Sequence, residues 1–299
     1  MTTAGAAGIE RTLKESGGRR HTGGAGRWSR LLNNRLALFG LVVLVLLVLL
    51  AIAGPAVMPY GPEEVSYNIL DGPGREHWLG TDDVGRDMLA RLVAASRVSL
   101  TVGFAVAVLS SVIGTTVGAL AGYYPGRIDA LLSGLINVML SIPLIPLAMV
   151  LGAFLQTDLP FIILILGLLT WTGSARIIRA EFLDLREREY VVGARVGGAS
   201  DGRIIVRHVM PNVLPLIIVA TTLQVAGAIL AESALSYLGF GIQPPQASWG
   251  NMLQNAQRYF RSNPAVAIYP GLLISLTVIC VNFIGDGLRD ALDPRLRTS

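Results

Sequence analysis

The densest group of potential ligands in this sequence is Glu76, His77, Asp82, Asp83 and Asp87, within and just before HWLGTDDVGRDMLARL (residues 77–92). Four carboxylates and an imidazole so close together raise metal binding, but their spacing matches no ligand motif. Helix capping and a solvated acidic face account for them better. Thr81 or Asp82 would cap a helix whose first turn holds Asp83 and Asp87, where negative charge is favourable. Cys280 is the one cysteine, so no intrachain disulfide and no cysteine-pair metal site exists. The three histidines lie outside the apolar runs, with His21 in the tail and His208 on a loop surface. No H-E-x-x-H pattern or Ser-Lys pair is present, which leaves an intramembrane hydrolase without machinery. Lys14, the one lysine, precedes its glycines in TLKESGG, whereas a phosphate-cradling loop needs the lysine after them. The sequence therefore predicts no catalytic residue and no metal; if ATP is used, another protein binds it.

Two polar groups call for a different chemistry, that of passage. Gln224 and Glu232 are eight residues apart, so about 800° of helical rotation brings them to within about 80° of each other. An ionisable group at membrane depth is costly and usually faces an interior or aqueous path. Glu232 would meet a cargo amino group or cap the helix after it. Asn137 and Ser141 are further candidates, equally explained as contacts between helices.

These residues sit in a chain built for lipid. Of 299 residues, 52% are hydrophobic and 15% charged, against roughly 25% charged in soluble domains; the mean hydropathy is +0.58. Residues 1–30 are rich in Gly, Thr, Ala and Arg without apolar period and predict a disordered tail. Six apolar spans follow: Leu36–Val57, Val98–Tyr123, Ala130–Leu155, Leu159–Ala175, Val213–Ala231 and Ala265–Phe283. The first competes with a cleavable signal peptide ending in AIA (51–53), but its basic region is too long and its apolar run suffices to span. With the amino terminus inside, 18 of the 24 basic residues fall on cytoplasmic segments, a clear positive-inside bias. Both termini and the loop 176–212 are then cytoplasmic, and loops 58–97 and 232–264 are outside.

The loop carries REREYVVGARVGGASDGRIIVRHVMPN (Arg186–Asn212), more than a simple connection needs. EREYVVGAR predicts a short amphipathic helix with apolar Val192 and Val196, and Ile204 to Val206 continue the apolar positions beyond it. Gly197 and Gly198 stop the helix through left-handed backbone. Ser200 or Asp201 caps the next helix, and Pro211 marks the start of the fifth span. Periodicity alone leaves two readings open, a helix pair lying on anionic lipid and a docking element for a cytoplasmic partner.

This stretch resembles the cytoplasmic signature of permease subunits in ABC importers, a Glu-Ala-Ala triplet followed by Gly and a Leu-Pro-like pair. Val192-Gly193-Ala194 takes the triplet position, with Val192 where the family has Glu; Gly198 matches the Gly and Met210-Pro211 the pair. HWLGTDDVGRDMLARL, LSYLGFGIQPPQASWGNML (235–253) and NFIGDGLRDALDPRLR (282–297) are similar to the C-type permease subunit of dipeptide and oligopeptide importers. In QPPQASWG, Ser248 predicts a cap and Trp249 an interfacial anchor, ahead of a short amphipathic helix at the outer face.

The resemblance implies an all-α polytopic membrane protein of six transmembrane helices with the type I ABC importer permease fold, over residues 31–299. It implies a coupling helix contacting the ATPase through Tyr190, Val192, Gly193, Ala194, Arg195, Gly197, Gly198, Ala199, Ser200 and Pro211. The implied partners are a second, homologous permease subunit, two ATPase subunits that bind ATP and Mg, and an extracytoplasmic solute-binding protein that contacts the 235–253 region. The chain itself binds no cofactor and is no enzyme. An ion-coupled secondary transporter or channel is the alternative; it predicts a relay of intramembrane carboxylates, and the spans hold almost none.

Overall fold

The computed structural model describes residues 34–154 and 158–292, so the expectation for the tail and the last residues of the closing motif lie outside it. The first helix, α1 (Arg35–Val57), starts where the Asn34 side chain accepts from the Leu36 and Ala37 N–H groups, at 3.1 and 3.2 Å. Among the described residues, five helices are long and apolar enough to cross a membrane, and there is a sixth span if one sharply bent helix pair is counted as a single crossing.

The second span, α2 (Met88–Tyr123), begins ten residues before the expected Val98. At 36 residues it is about 54 Å long, well beyond the hydrocarbon thickness. Its polar first turns form helix because the preceding loop buries and pairs them. The cap is Asp87 rather than Thr81 or Asp82: its Oδ1 accepts from the Ala90 N–H at 2.7 Å, while His77 Nδ1 lies 2.8 Å from Oδ2. Asp82 instead accepts from two backbone N–H groups and pairs with Arg86 Nε at 2.8 Å and Arg91 Nε at 3.2 Å. Two carboxylates of the ligand-like cluster, Asp82 and Asp87, are thus held in separate partnerships, one by guanidinium groups and one by an imidazole.

The expected third span, Ala130–Leu155, is two helices, α3 (Arg127–Ser141) and α4 (Leu144–Phe154), bent by 82°. Pro143 is the cause: it bars the helical conformation from Ile142, which is extended at φ −89° and ψ 123°. Next, α5 (Leu159–Leu185) starts with Pro160 in its first turn and runs ten residues past the expected end. Its polar extension is supported by Arg179, which donates to both oxygens of Asp129 on α3 at 2.6 and 2.9 Å.

The loop helix is α6 (Glu189–Val196). After it α7 (Asp201–Tyr237) is one continuous helix of a short α-helical start, a π-helical turn at Ile205–Val209 and a long α-helical body from Met210. Pro211 falls in the first turn of that α-helical body, as expected, but the helix as a whole begins earlier, at Asp201. The π turn directs the Met210 N–H to the Ile205 carbonyl, so the helix passes through a residue that has no N–H to give. The chain closes with α8 (Trp249–Ala256) and α9 (Ala265–Leu292).

As expected, Ser248 caps α8. It accepts from the Asn251 N–H at 3.2 Å and returns its own N–H to the Asn251 side chain at 3.0 Å, a reciprocal box. Trp249 is not an interfacial anchor: it is fully buried, in one core with Met88, Leu92, Met252 and Ala256. A ring turned inward by the cap above it cannot reach a lipid headgroup.

The closest helix packing joins α2 to α5. Gly114, Gly118 and Gly122 form a stripe at four-residue spacing, so all three face one way. A Cβ on them would meet the carbonyl oxygens of Trp171 at 2.7 Å, Ala175 at 2.5 Å and Arg179 at 2.6 Å. The two backbones are in direct contact, the packing that small residues permit between helices in lipid.

Candidate functional site

The helix α6 has one face inside the protein and one outside. Val191 is fully buried with Ile204, Val209 and Val213 of α7, Ile178 and Phe182 of α5, and Ala119 and Tyr123 of α2. Ala194 and Ala199 pack on the edge of this core. On the other face Tyr190, Val192 and Val196 are exposed, Val196 to 85%, and Val206 joins them from the π turn. Of the apolar positions noted in the loop, Ile204 points inward while Val192, Val196 and Val206 point outward.

The helix stop follows from backbone geometry. Gly198 has φ +81°, the left-handed conformation that costs an L-residue roughly 1–2 kcal/mol. The Ala199 N–H reaches the Ala194 carbonyl at 3.1 Å and the Gly198 N–H the Arg195 carbonyl at 3.0 Å. These are the two bonds of a Schellman cap, with its apolar contact made by Ala194 and Ala199. Gly197 is the residue before, its N–H on the Gly193 carbonyl at 2.9 Å. A Cβ at Gly193 or Gly198 would meet nothing within 4 Å, so within this chain the space over both is open.

Polar contacts then fix α6 and the start of α7 to α2. Tyr123 Oη donates to Asp201 Oδ1 at 2.8 Å, and Arg186 Nη1 donates to the Gly122 carbonyl at 3.2 Å. The Arg195 guanidinium lies 5.9 Å from the centre of the Tyr123 ring, within cation–π range. Ser200 stands at the cap position of α7, yet neither expected cap bond forms: the Ser200 hydroxyl makes none, and Asp201 is taken by Tyr123. On the exposed side Asn212 Nδ2 donates to Tyr190 Oη at 3.3 Å. Partial burial raises the Tyr190 phenol above its ordinary value, so it remains a neutral hydroxyl. Pro211 is exposed beside it.

Sequence reasoning missed Tyr123, Arg186 and the inward face of α6. Tyr123 closes an apolar span, and its partner lies 78 residues further on; no local pattern joins the two.

The four polar residues assigned to a passage are held in different ways. Gln224 Nε2 donates to the Thr170 carbonyl at 3.1 Å and its Oε1 accepts from Ser174 at 3.4 Å, so both ends of the amide are held by α5. Glu232 is fully buried among side chains of its own chain, with its carboxylate on Ser99, Ser233 and Ser236. In this structure the carboxylate faces no opening. Asn137 and Ser141 are exposed on α3. They flank the Pro143 bend, where a half-open cavity of about 370 Å³ is lined by Met139, Pro143, Leu169, Thr170 and Thr172.

With this geometry in hand, comparison with known proteins is informative. The profile of the family described as binding-protein-dependent transport system inner membrane component matches residues 114–298. That of the N-terminal TM domain of oligopeptide transport permease C matches residues 25–73. A dipeptide transport system permease of Alkalihalophilus pseudofirmus is 40% identical over 272 residues, covering 91% of this chain and 90% of that protein. An oligopeptide transport system permease of Escherichia coli K12 is 40% identical over 271 residues, covering 90% of each. A putative peptide permease of Brucella suis biovar 1 is 40% identical over 270 residues, covering 89% of each. Among solved structures, a chain of the MetNI methionine ABC transporter in an inward-facing conformation superposes with a TM-score of 0.54 at 22% identity. The superposition covers 69% of this chain and 98% of that one.

Proposed function

This chain belongs to the binding-protein-dependent transport system inner membrane component family, and from that premise we propose that it forms half of the pathway of an ATP-driven importer of di- and oligopeptides. It is a permease subunit with the type I ABC importer fold. The peptide cargo is supported by the names of the relatives, dipeptide and oligopeptide permeases at 40% identity. An ion-coupled transporter is not favoured by any of them.

The proposed complex holds this chain, a homologous second permease, two ATPases and an extracytoplasmic binding protein. ATP and Mg bind to the ATPases; this chain binds no cofactor and performs no covalent chemistry. The charge bias supports cytoplasmic termini and a cytoplasmic loop 176–212, with the segments around 58–87 and 238–264 outside. On this reading residues 31–299 are one permease domain behind the tail 1–30.

One observation carries the coupling role: α6 exposes Tyr190, Val192 and Val196 while its other face is built into the core shared by α2, α5 and α7. A partner that grips the open face displaces the core with it. Gly193, Ala194, Arg195, Gly197, Gly198, Ala199, Ser200 and Pro211 make up the rest of the contact region. ATP-driven closure of the ATPases then switches the helices between two packings, alternating the side to which the path opens. The test is co-purification: the tagged chain, extracted in mild detergent, is expected to bring an ATPase with it in comparable amount. A stable preparation free of any ATPase would sink this reading.

The path itself is proposed to run past Asn137 and Ser141 at the α3–α4 bend, with Gln224 behind them as a contact between α7 and α5. In a Cys280→Ser background, Asn137→Cys or Ser141→Cys is expected to react with a small charged thiol reagent in at least one nucleotide state of the assembled complex. Protection of both α3 positions from charged reagents in every state, with free reaction toward lipid-soluble ones, would remove α3 from the path.

A further inference from the structure

Glu232 has no part in the coupling core, yet it heads a fully buried polar cluster. Ser236 Oγ donates to its Oε1 at 2.7 Å, and Ser233 and Ser99 reach Oε2 at 3.4 and 3.5 Å. No arginine, lysine or histidine pairs with it among the described residues. Two of the serines use their remaining valence on backbone. Ser99 Oγ accepts from the Trp249 N–H at 3.1 Å, and Ser236 Oγ accepts from the Ile242 N–H at 3.0 Å. One carboxylate thus reaches, through two hydroxyls, both the start of α8 and the turn leading to it.

The surroundings make that reach consequential. A Cβ on Gly250 would lie 2.7 Å from the Ser233 carbonyl, so the first turn of α8 rests on the α7 backbone with no side chain between. The Trp249 indole Nε1 is buried without a partner, and therefore does not hold the segment in place. A hydroxyl that donates to a carboxylate becomes a better acceptor, which strengthens both backbone bonds. Removing the carboxylate would leave three buried hydroxyls without their acceptor, at a cost for each.

We propose that Glu232 is a positioning residue that acts through Ser99 and Ser236 to set the 239–256 segment, α8 included, against α2 and α7, and that transport requires this setting. The transport half rests on the peptide-importer reading; the positioning half does not.

The experiment measures amide hydrogen exchange on the full chain in its assembled complex in lipid nanodiscs, alongside uptake of tritiated dialanine by cells. Glu232→Ala is expected to speed exchange at Ile242 and Trp249 by about tenfold or more, with residues 102–118 of α2 unchanged, and to lower uptake by about tenfold. Glu232→Gln keeps an acceptor for Ser236 and offers an N–H to Ser99, which can still receive the Trp249 N–H. It is expected to restore both readings to within about twofold of the parent. Unchanged exchange with alanine overturns the proposal, and so does a glutamine variant as impaired as alanine, because charge and not hydrogen bonding would then be at work. If Glu232→Ala does not accumulate, Ser99→Ala decides: faster exchange at Trp249 but not at Ile242 supports the relay, and any other pattern overturns it. Exchange as expected in a parent that takes up no dialanine upholds the positioning and overturns the peptide reading instead.

Discussion

Leucine in place of Gly118 is expected to prevent the folded chain from accumulating in the membrane. The Cβ alone would meet the Ala175 carbonyl oxygen at 2.5 Å, with the Arg179 nitrogen and Ile178 Cβ both at 3.1 Å. Backbone atoms cannot swing aside as a flexible side chain would, so α2 and α5 must separate. Separation also opens the contacts of Gly114 and Gly122, one turn away on either side, whose Cβ positions are as tightly enclosed. Overpacking typically costs about 1–3 kcal/mol in cores that can adjust; a contact between two backbones adjusts least, so the upper end or beyond is expected. The loss falls where α6 is held, since Phe182 and Tyr123 belong to the core over this contact. Fluorescence-detected size exclusion in mild detergent, with thermal challenge, reads the effect directly. Gly134→Leu on α3, where a Cβ meets nothing within 4 Å, is the control and should remain monodisperse. A monodisperse Gly118→Leu protein of parental thermal midpoint would show that the two helices are not in backbone contact.

Arginine at Gly198 is expected to do the reverse, preserving the fold and destroying the connection to the ATPase. The space above Gly198 is empty in this chain, so nothing internal clashes. The left-handed φ of +81° costs an L-residue about 1–2 kcal/mol, borne by an exposed turn, and the spans do not depend on that turn. The penalty appears when a partner covers the turn. A long charged side chain then enters a contact that Tyr190, Val192 and Val196 make apolar, and an uncompensated buried charge costs about 3–5 kcal/mol. A loss of about 3 kcal/mol weakens binding more than a hundredfold. The expected product is a permease at normal membrane levels that no longer retains an ATPase, or retains one whose hydrolysis drives no uptake. Gly198→Ala separates the two causes, because it carries the backbone cost without the charge and should keep most of the coupling. Unimpaired uptake through the Gly198→Arg protein would mean that the ATPase docks elsewhere.

Features set by short-range rules were legible in the sequence. Six apolar stretches announced the spans, because hydropathy needs only composition over about twenty residues. The glycine pair stopped α6 at Gly197 and Gly198, and Ser248 capped α8, because caps are decided within a turn of their own residues. The loop 186–212 stood out by its alternation of charge, glycine and valine, and its matches to a permease signature directed attention to α6. What tertiary structure decided is how each polar or apolar side chain is used. Arg91 and its neighbours made residues 88–97 look like loop, and the Asp87 cap together with Asp82, folded back onto Arg86 and Arg91, lets α2 begin there. Valines 191 and 192 are indistinguishable in sequence, yet one is buried and the other meets solvent, because α2, α5 and α7 converge on one side of α6. Glu232 invited a role in passage and Trp249 one at the lipid surface; both are buried because Ser99, 133 residues before Glu232, binds the glutamate and the tryptophan backbone together. The free energy of a buried polar group depends on which partners reach it, and those partners come from distant parts of the chain that only the assembled fold brings within bonding distance.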